Sequence, residues 1–181
     1  MIVTETNLAG CFIIEPIVFN DERGSFFESF NKIEFKEKTG LEVEFVQDNQ
    51  SISHKGVLRG LHFQENEFAQ AKLVRVVKGK VLDVVVDLRK ESQTFGKSFS
   101  IILSGENNKQ LFVPRGFAHG FYVLENETIF NYKCDNYYHK EAEKGIRYND
   151  SDLAIDWSLK DEKVILLEKD RQLITFKQFC Q

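Results

Sequence analysis

Apolar and polar residues alternate with a period of two along most of this chain. Leu82, Val84, Val86 and Leu88 fall on one face of a strand, with Val81, Asp83, Val85 and Asp87 on the other. The same reading predicts strands over 11–18, 43–50, 56–63, 71–77, 98–104, 109–113, 117–124 and 128–135. Turn signals such as Lys78-Gly79-Lys80 and Ser104 through Asn108 separate them. Many short strands at regular spacing are the pattern of a sandwich or a barrel. Two stretches read as helix. Asn31 with Glu34 has the form of a capping box, and Gly40 supplies the stop. From Asp161 onward, Val164, Leu167, Leu173 and Phe176 show a looser helical spacing, suited to short pieces of helix. The expected architecture is mainly β, a barrel with short helices packed outside it.

Composition narrows the picture. At 181 residues the simplest count is one domain, spanning 1–181, and 42% hydrophobic residues with 17 Phe can fill a sizeable core. A net charge of −4 gives no reason to expect nucleic acid. No apolar run approaches the ~20 residues of a membrane span, and Met1 through Glu5 lacks the features of a signal peptide. Cys11, Cys134 and Cys180 are odd in number and widely spaced, which suits a reducing cytoplasm.

The candidate chemistry is spread over several strands. Gly56-Val57-Leu58-Arg59-Gly60-Leu61-His62-Phe63-Gln64 carries a cation and an imidazole, Gln70-Ala71-Lys72 a second cation, Pro114 through Phe121 a second imidazole at His119, and Tyr132 a phenol. Period two places His62 with Leu58 and Gly60, Lys72 with Val74 and Val76, His119 with Phe117 and Phe121, and Tyr132 with Phe130 and Cys134. His62, Lys72, His119 and Tyr132 are thus expected to face one barrel lumen. Arg59 lies on the opposite face unless Gly60 sits in a bulge. A base, a cation and a phenol together can move protons on and off carbon without a cofactor. Asp83 and Asp87 could serve as active acids, but salt bridges to Arg75 or Arg89 are the favoured reading.

With these residues in view, the chain resembles the dTDP-4-dehydrorhamnose 3,5-epimerase family of cupin-like sugar epimerases, almost end to end. Asp21-Glu22-Arg23-Gly24-Ser25-Phe26-Phe27-Glu28-Ser29-Phe30 looks like its N-terminal signature. Gln47 through Ser51, Val57 through Gln64, Asp87-Leu88-Arg89, Thr94-Phe95-Gly96, Gly116 through Phe121, Tyr132 through Tyr138, Asn149-Asp150, Trp157 and Lys169-Asp170 follow in order. Ala71, Gln93, His139-Lys140 and Ser158 depart from the family pattern.

The resemblance implies a cupin-like jelly-roll β-barrel with a few peripheral short helices. It also implies a homodimer whose sites use residues of both chains, and a nucleotide-diphosphate 4-keto-6-deoxy sugar as substrate. By that analogy His62 is the base, Asp170 its orienting partner, Tyr132 the acid and Lys72 the enolate's counter-charge. Arg23, Glu28, Gln47, Asn49, Arg59, His119, Glu143 and Lys169 match substrate-binding positions, and Phe19, Phe26 and Tyr138 match positions that pack on base or sugar. No metal and no cofactor are implied.

Two other classes compete. A metal-dependent cupin needs two histidines one residue apart, but Phe63-Gln64 follows His62 and only His119 fits the later ligand position. A sugar-binding protein without catalysis has no need of His62, Lys72, Tyr132 and Asp170 together. Within the epimerase reading, dTDP-4-dehydro-6-deoxyglucose is the favoured substrate. A GDP-linked 4-keto heptose, or inversion at C3 or C5 alone, are the alternatives.

Overall fold

The computed structural model describes residues 1–159 and 163–181. In chain order its strands are β1 (Ile2–Glu5), β2 (Phe12–Glu15), β3 (Phe19–Asp21), β4 (Gly24–Phe26), β5 (Gln47–Ser53), β6 (Leu58–Gln64), β7 (Lys72–Lys78), β8 (Lys80–Asp87), β9 (Ser98–Ser104), β10 (Gln110–Val113), β11 (Phe117–Val123), β12 (Thr128–Cys134) and β13 (Glu143–Gly145). The α-helices are α1 (Lys32–Thr39), α2 (Glu168–Arg171) and α3 (Phe176–Phe179).

Antiparallel pairing arranges the strands in three sheets. One runs β1-β2-β10-β7-β12-β5, a second β13-β6-β11-β8-β9, and β3 and β4 form a separate hairpin. The expected cupin-like jelly-roll β-barrel is therefore not what forms. The larger sheets end at β1 and β5 and at β13 and β9, and no ladder among the described residues joins an edge to an edge. Alternation identifies the two faces of a strand; it does not say whether the outermost strand finds a neighbour that closes the ring. The product is two open sheets packed face to face.

Three apolar layers follow. Between the sheets lie Val74, Val76, Val81, Val85, Leu111, Phe117, Phe121 and Phe130. The outer face of the five-stranded sheet, with Leu58, Leu61, Val84 and Val86, is covered by Ile146, Leu153, Trp157 and the C-terminal segment. The outer face of the six-stranded sheet meets Phe35 of α1. Asn31 caps α1 by accepting from the backbone N–H of Ile33 and Glu34, and Gly40 ends it at φ 73°. The Glu34 side chain pairs with the N-terminal ammonium of Met1.

Most predicted strands form with small shifts in their ends. The predicted strand 43–50 moves to Gln47–Ser53, and β1, the β3–β4 hairpin and β13 were not expected. The C-terminal stretch does contain two short helices, α2 and α3; Asp161, where the helical reading began, lies outside the described residues.

One irregularity positions the site. Along β6 and β11, His62 faces His119 and Arg59 faces Phe121, so Gly60 and Leu61 together oppose the single residue Gly120. This bulge turns β6 by one residue, so Arg59 and His62 share the inward face while Leu58, Leu61 and Phe63 share the outward one. The expected grouping of His62 with Leu58 is corrected by it. A Cβ on Gly60 would lie 2.6 Å from Gly120 Cα and 2.8 Å from the His119 carbonyl oxygen, at a backbone φ of 123°. Gly60→Ala should cost about 3 kcal/mol in urea unfolding and displace Arg59 from His62. An unchanged midpoint would show that the strands separate without penalty.

The far end of β8 is held by charge. Asp87 accepts from Arg89 Nε (2.9 Å), Arg89 Nη2 (2.7 Å), Ser92 Oγ (2.6 Å) and Thr94 Oγ1 (2.7 Å). Burial alone would raise its carboxyl, but these donors outweigh burial and bring it down to about 2. A carboxyl depressed on folding stabilises the fold above its unfolded value of roughly 3.9, and that contribution fades as pH falls towards the folded value. Asp87→Asn should lose about 1–2 kcal/mol at neutral pH, and the gap from wild type should narrow as pH falls from 5 towards 2. A gap that does not change with pH would contradict this account.

Candidate active site

Between the sheets a cavity of about 230 Å³ is lined by Arg59, His62, Lys72, His119, Tyr132, Glu143, Lys169 and Asp170, with Gln50, Ser51, Phe121 and Phe130. A second polar cavity of about 270 Å³ shares His62, Lys72, Tyr132 and Glu143 and adds Gln47, Asn49, Gln64, Gln70 and Tyr138. The shared residues make these two lobes of one cleft.

Each wall comes from a different element. On the five-stranded sheet, the β6 bulge brings Arg59 and His62 inward, and His119 joins them from β11. On the six-stranded sheet, Lys72 of β7 and Tyr132 of β12 project from the opposite wall, with Lys72 Nζ 5.9 Å from the Tyr132 ring centroid. The C-terminal segment supplies the rest. Ile165 pairs with Val57 and Ile174 with Ile146, and this seats α2 beside β6. Asp170, only 2% exposed, then lies 2.8 Å from His62 Nε2 through its Oδ1. The imidazole N–H donates to the carboxylate, which leaves Nδ1 as the nitrogen available to the cleft.

The electrostatics of the opposite wall follow from burial. Burial lowers the Lys72 ammonium from its ordinary value, against the pull of Cys134, Asp83 and Glu143. Burial raises the Tyr132 phenol, helped by Cys134 and opposed by Arg59. The phenol therefore holds its proton more firmly than in water, and a positive charge on Lys72 is less well solvated than at the surface. Arg59 is steadied by Ser53 Oγ, 3.3 Å from Nε and 3.2 Å from Nη2.

At the mouth, Glu143 accepts from Lys169 Nζ at 3.1 Å and from the Tyr138 hydroxyl at 3.1 Å. Burial would raise the Glu143 carboxyl, but Lys169, with His62 and Tyr138 beside it, brings it below its usual range. The Tyr138 N–H donates to Gln47 Oε1 (3.0 Å), and Gln47 Nε2 donates to Asn49 Oδ1 (3.0 Å). Among the described residues, no three His, Cys, Asp or Glu side chains converge as metal ligands.

Eleven residues expected at the site line this cleft: His62, Tyr132, Asp170, Lys72, Gln47, Asn49, Arg59, His119, Tyr138, Glu143 and Lys169. Arg23, Glu28, Phe19 and Phe26 do not line it. Phe19, Arg23 and Phe26 lie on the exposed β3–β4 hairpin, and Glu28 just beyond it is also exposed. Asp83 corrects another expectation, because its partner is His119 Nε2 at 2.9 Å and not Arg75, whereas Asp87 does pair with Arg89. Gln50, Ser51, Gln64 and Gln70 also line the cleft and are not among the expected site residues. Gln47, Asn49 and Ser51 show the period-two signal that marks an inward face of β5.

A half-buried histidine backed by a buried carboxylate, facing a phenol and a partly desolvated lysine, is an acid–base site of the kind that exchanges protons on carbon. The family model for dTDP-4-dehydrorhamnose 3,5-epimerase matches residues 5–178. A dTDP-4-dehydrorhamnose 3,5-epimerase of Methanothermobacter thermautotrophicus is 54% identical over 92% of this chain and 90% of its own length. The crystal structure of such an enzyme from Elizabethkingia anophelis superimposes with a TM-score of 0.95 at 54% identity, covering 98% of this chain and 97% of that one. A dTDP-6-deoxy-D-glucose-3,5-epimerase from Legionella pneumophila, solved in complex with dTDP-4-keto-L-rhamnose, gives 0.93 at 50% identity, covering 97% and 92%. The chain belongs to the dTDP-4-dehydrorhamnose 3,5-epimerase family.

Proposed function

We propose that this protein inverts C3 and C5 of dTDP-4-dehydro-6-deoxyglucose to give dTDP-4-dehydrorhamnose, by proton removal and return through an enolate. The observation that carries the reading is the convergence of the His62–Asp170 pair, Lys72 and Tyr132 on one cleft in a chain of this family.

Both carbons flank the C4 carbonyl, so loss of either proton delocalises charge onto O4. His62 takes the proton on Nδ1, and Asp170 holds Nε2 and stabilises the imidazolium that forms. The Lys72 ammonium, short of solvent, meets the charge developing on O4. Inversion requires the proton to return on the opposite face. The Tyr132 phenol, kept protonated by burial, stands on the wall across from His62 and donates it. Arg59 suits the diphosphate, because a guanidinium binds two phosphate oxygens at once. Gln47, Asn49, Glu143 and Lys169 hold the remaining polar groups of the substrate, His119 a group on the sugar, and Tyr138 offers a ring to stack on the base.

A second copy of the chain completes the site. The β3–β4 hairpin is exposed along its whole length, with Phe19 62% and Phe26 71% exposed, and Ile52 on edge strand β5 is 64% exposed. Apolar side chains on an unpartnered hairpin and sheet edge suit an interface with an identical copy. The hairpin then delivers Arg23, Glu28, Phe19 and Phe26 to the neighbouring cleft. No described helix is long and apolar enough to cross a membrane, and three free cysteines support a cytoplasmic setting.

In deuterated water, wild type should place deuterium at both C3 and C5 of the dTDP-linked 4-keto sugar. Tyr132→Phe should still exchange deuterium, because His62 can remove and return a proton on its own face, but net inversion should fall at least about a hundredfold. Full inversion in the variant would assign the acid to another group, and no exchange in wild type would sink the epimerase reading. The shared site has its own test. Arg23→Ala and His62→Ala proteins, each inactive, should regain about one quarter of wild-type activity when mixed and allowed to exchange subunits, since half of the pairs then hold one intact site. No recovery would place Arg23 at its own chain's cleft or outside the site.

A further inference from the structure

One buried carboxylate makes no hydrogen bond to any of the groups that transfer protons above. Asp83 sits on the inward face of β8 between Val81 and Val85 and is 0% exposed. Its Oδ2 meets His119 Nε2 at 2.9 Å, and its Oδ1 is buried with no hydrogen-bond partner. Removing a carboxylate from water is unfavourable, and leaving one oxygen unpaired adds to the penalty. A valine there would continue the apolar layer without it. Burial raises the Asp83 carboxyl, while His119 and Lys72 favour the charged form. A group kept against such a penalty directly behind a residue that lines a reactive cleft points to a role in the reaction.

Its partner's location indicates the role. His119 and His62 face each other on β11 and β6. Two histidine–carboxylate pairs therefore line one wall, His62 with Asp170 and His119 with Asp83. His119 lines the cleft, and its Nδ1 makes no hydrogen bond with any described residue. The ring next to the base is thus held from behind by one nitrogen, with the other left for the sugar.

We propose that Asp83 is a positioning residue for epimerisation: by accepting from Nε2–H it holds His119 in the tautomer whose Nδ1 lone pair faces the cleft and accepts a hydrogen bond from a sugar hydroxyl beside C3. The proposal rests on the epimerase reading. It singles out C3 because the substrate carries hydroxyls at C2 and C3, whereas the C5 side of the carbonyl bears only the ring oxygen and a methyl. An anchored hydroxyl restricts the ring so that the C3 proton points at His62.

The test is Asp83→Asn, isosteric but able to donate to Nε2 and so to reverse the tautomer. Proton exchange at C3 should fall about ten- to a hundredfold, the range for losing a group that orients a functional histidine. Exchange at C5 should fall less than about threefold, and in a His119→Ala background Asp83→Asn should add no further loss. Equal losses at both carbons, unchanged C3 exchange, or losses that add to those of His119→Ala would each overturn the proposal. Should the variant fail to fold, nitrogen-15 NMR of the wild-type imidazoles still decides. The expected neutral His119 carries its hydrogen on Nε2, and a hydrogen on Nδ1 refutes the assignment. Because that measurement needs no turnover, it stands apart from a failure of the epimerase reading, which appears as absence of exchange at both carbons in wild type.

Discussion

At one point β6 and β11 approach so closely that neither strand has room for a side chain. A Cβ on Gly60 would meet Gly120 Cα at 2.6 Å, and one on Gly120 would meet the Arg59 carbonyl oxygen at 2.7 Å. The contact fits the bulge, and the bulge reverses the phase of β6. Without it, a guanidinium and an imidazole three residues apart would project to opposite faces of the sheet. With it, Arg59 and His62 enter the same cleft, and Leu58, Leu61 and Phe63 remain free to bury the C-terminal segment on the other side. That segment brings Asp170 to His62, so the bulge sets both the base and the support for its partner.

The two walls divide the electrostatic work. The five-stranded sheet contributes two imidazoles, each backed by a carboxylate almost fully removed from water. The six-stranded sheet contributes a lysine whose charge is poorly solvated and a phenol whose proton is firmly held. Desolvation therefore acts in opposite senses on neighbouring groups: it weakens Lys72 as a cation until an anion forms beside it, and strengthens Tyr132 as a reservoir of one proton.

Much of this was readable from residue order, within physical limits. Alternation located nine of the strands, and β9 matches 98–104 to the residue. It also put Lys72, His119 and Tyr132 on inward faces. Alternation could not show which edge strands find neighbours, so the barrel was expected where two open sheets form. It misphased Leu58 against His62 because a bulge adds a residue invisible to a strict period, although the glycine there signalled that one was possible. The partner of Asp83 was beyond it, since parity assigns a face and not a contact. The β3–β4 hairpin was missed because Phe19-Asn20-Asp21 and Gly24-Ser25-Phe26 are too short and too polar to show any period.

The pairing of His62 with Asp170 spans 108 residues of chain. Synthesis runs from the N-terminus, so every strand of both large sheets leaves the ribosome before the carboxylate that completes the pair. A nascent chain can form its strand ladders and bury the layer between them while its base still lacks support. Chemical competence therefore comes late in the life of each polypeptide, and a chain cut short after β13 would keep its strands but lose both the apolar layer that covers the outer face of the five-stranded sheet and the carboxylate that orients His62.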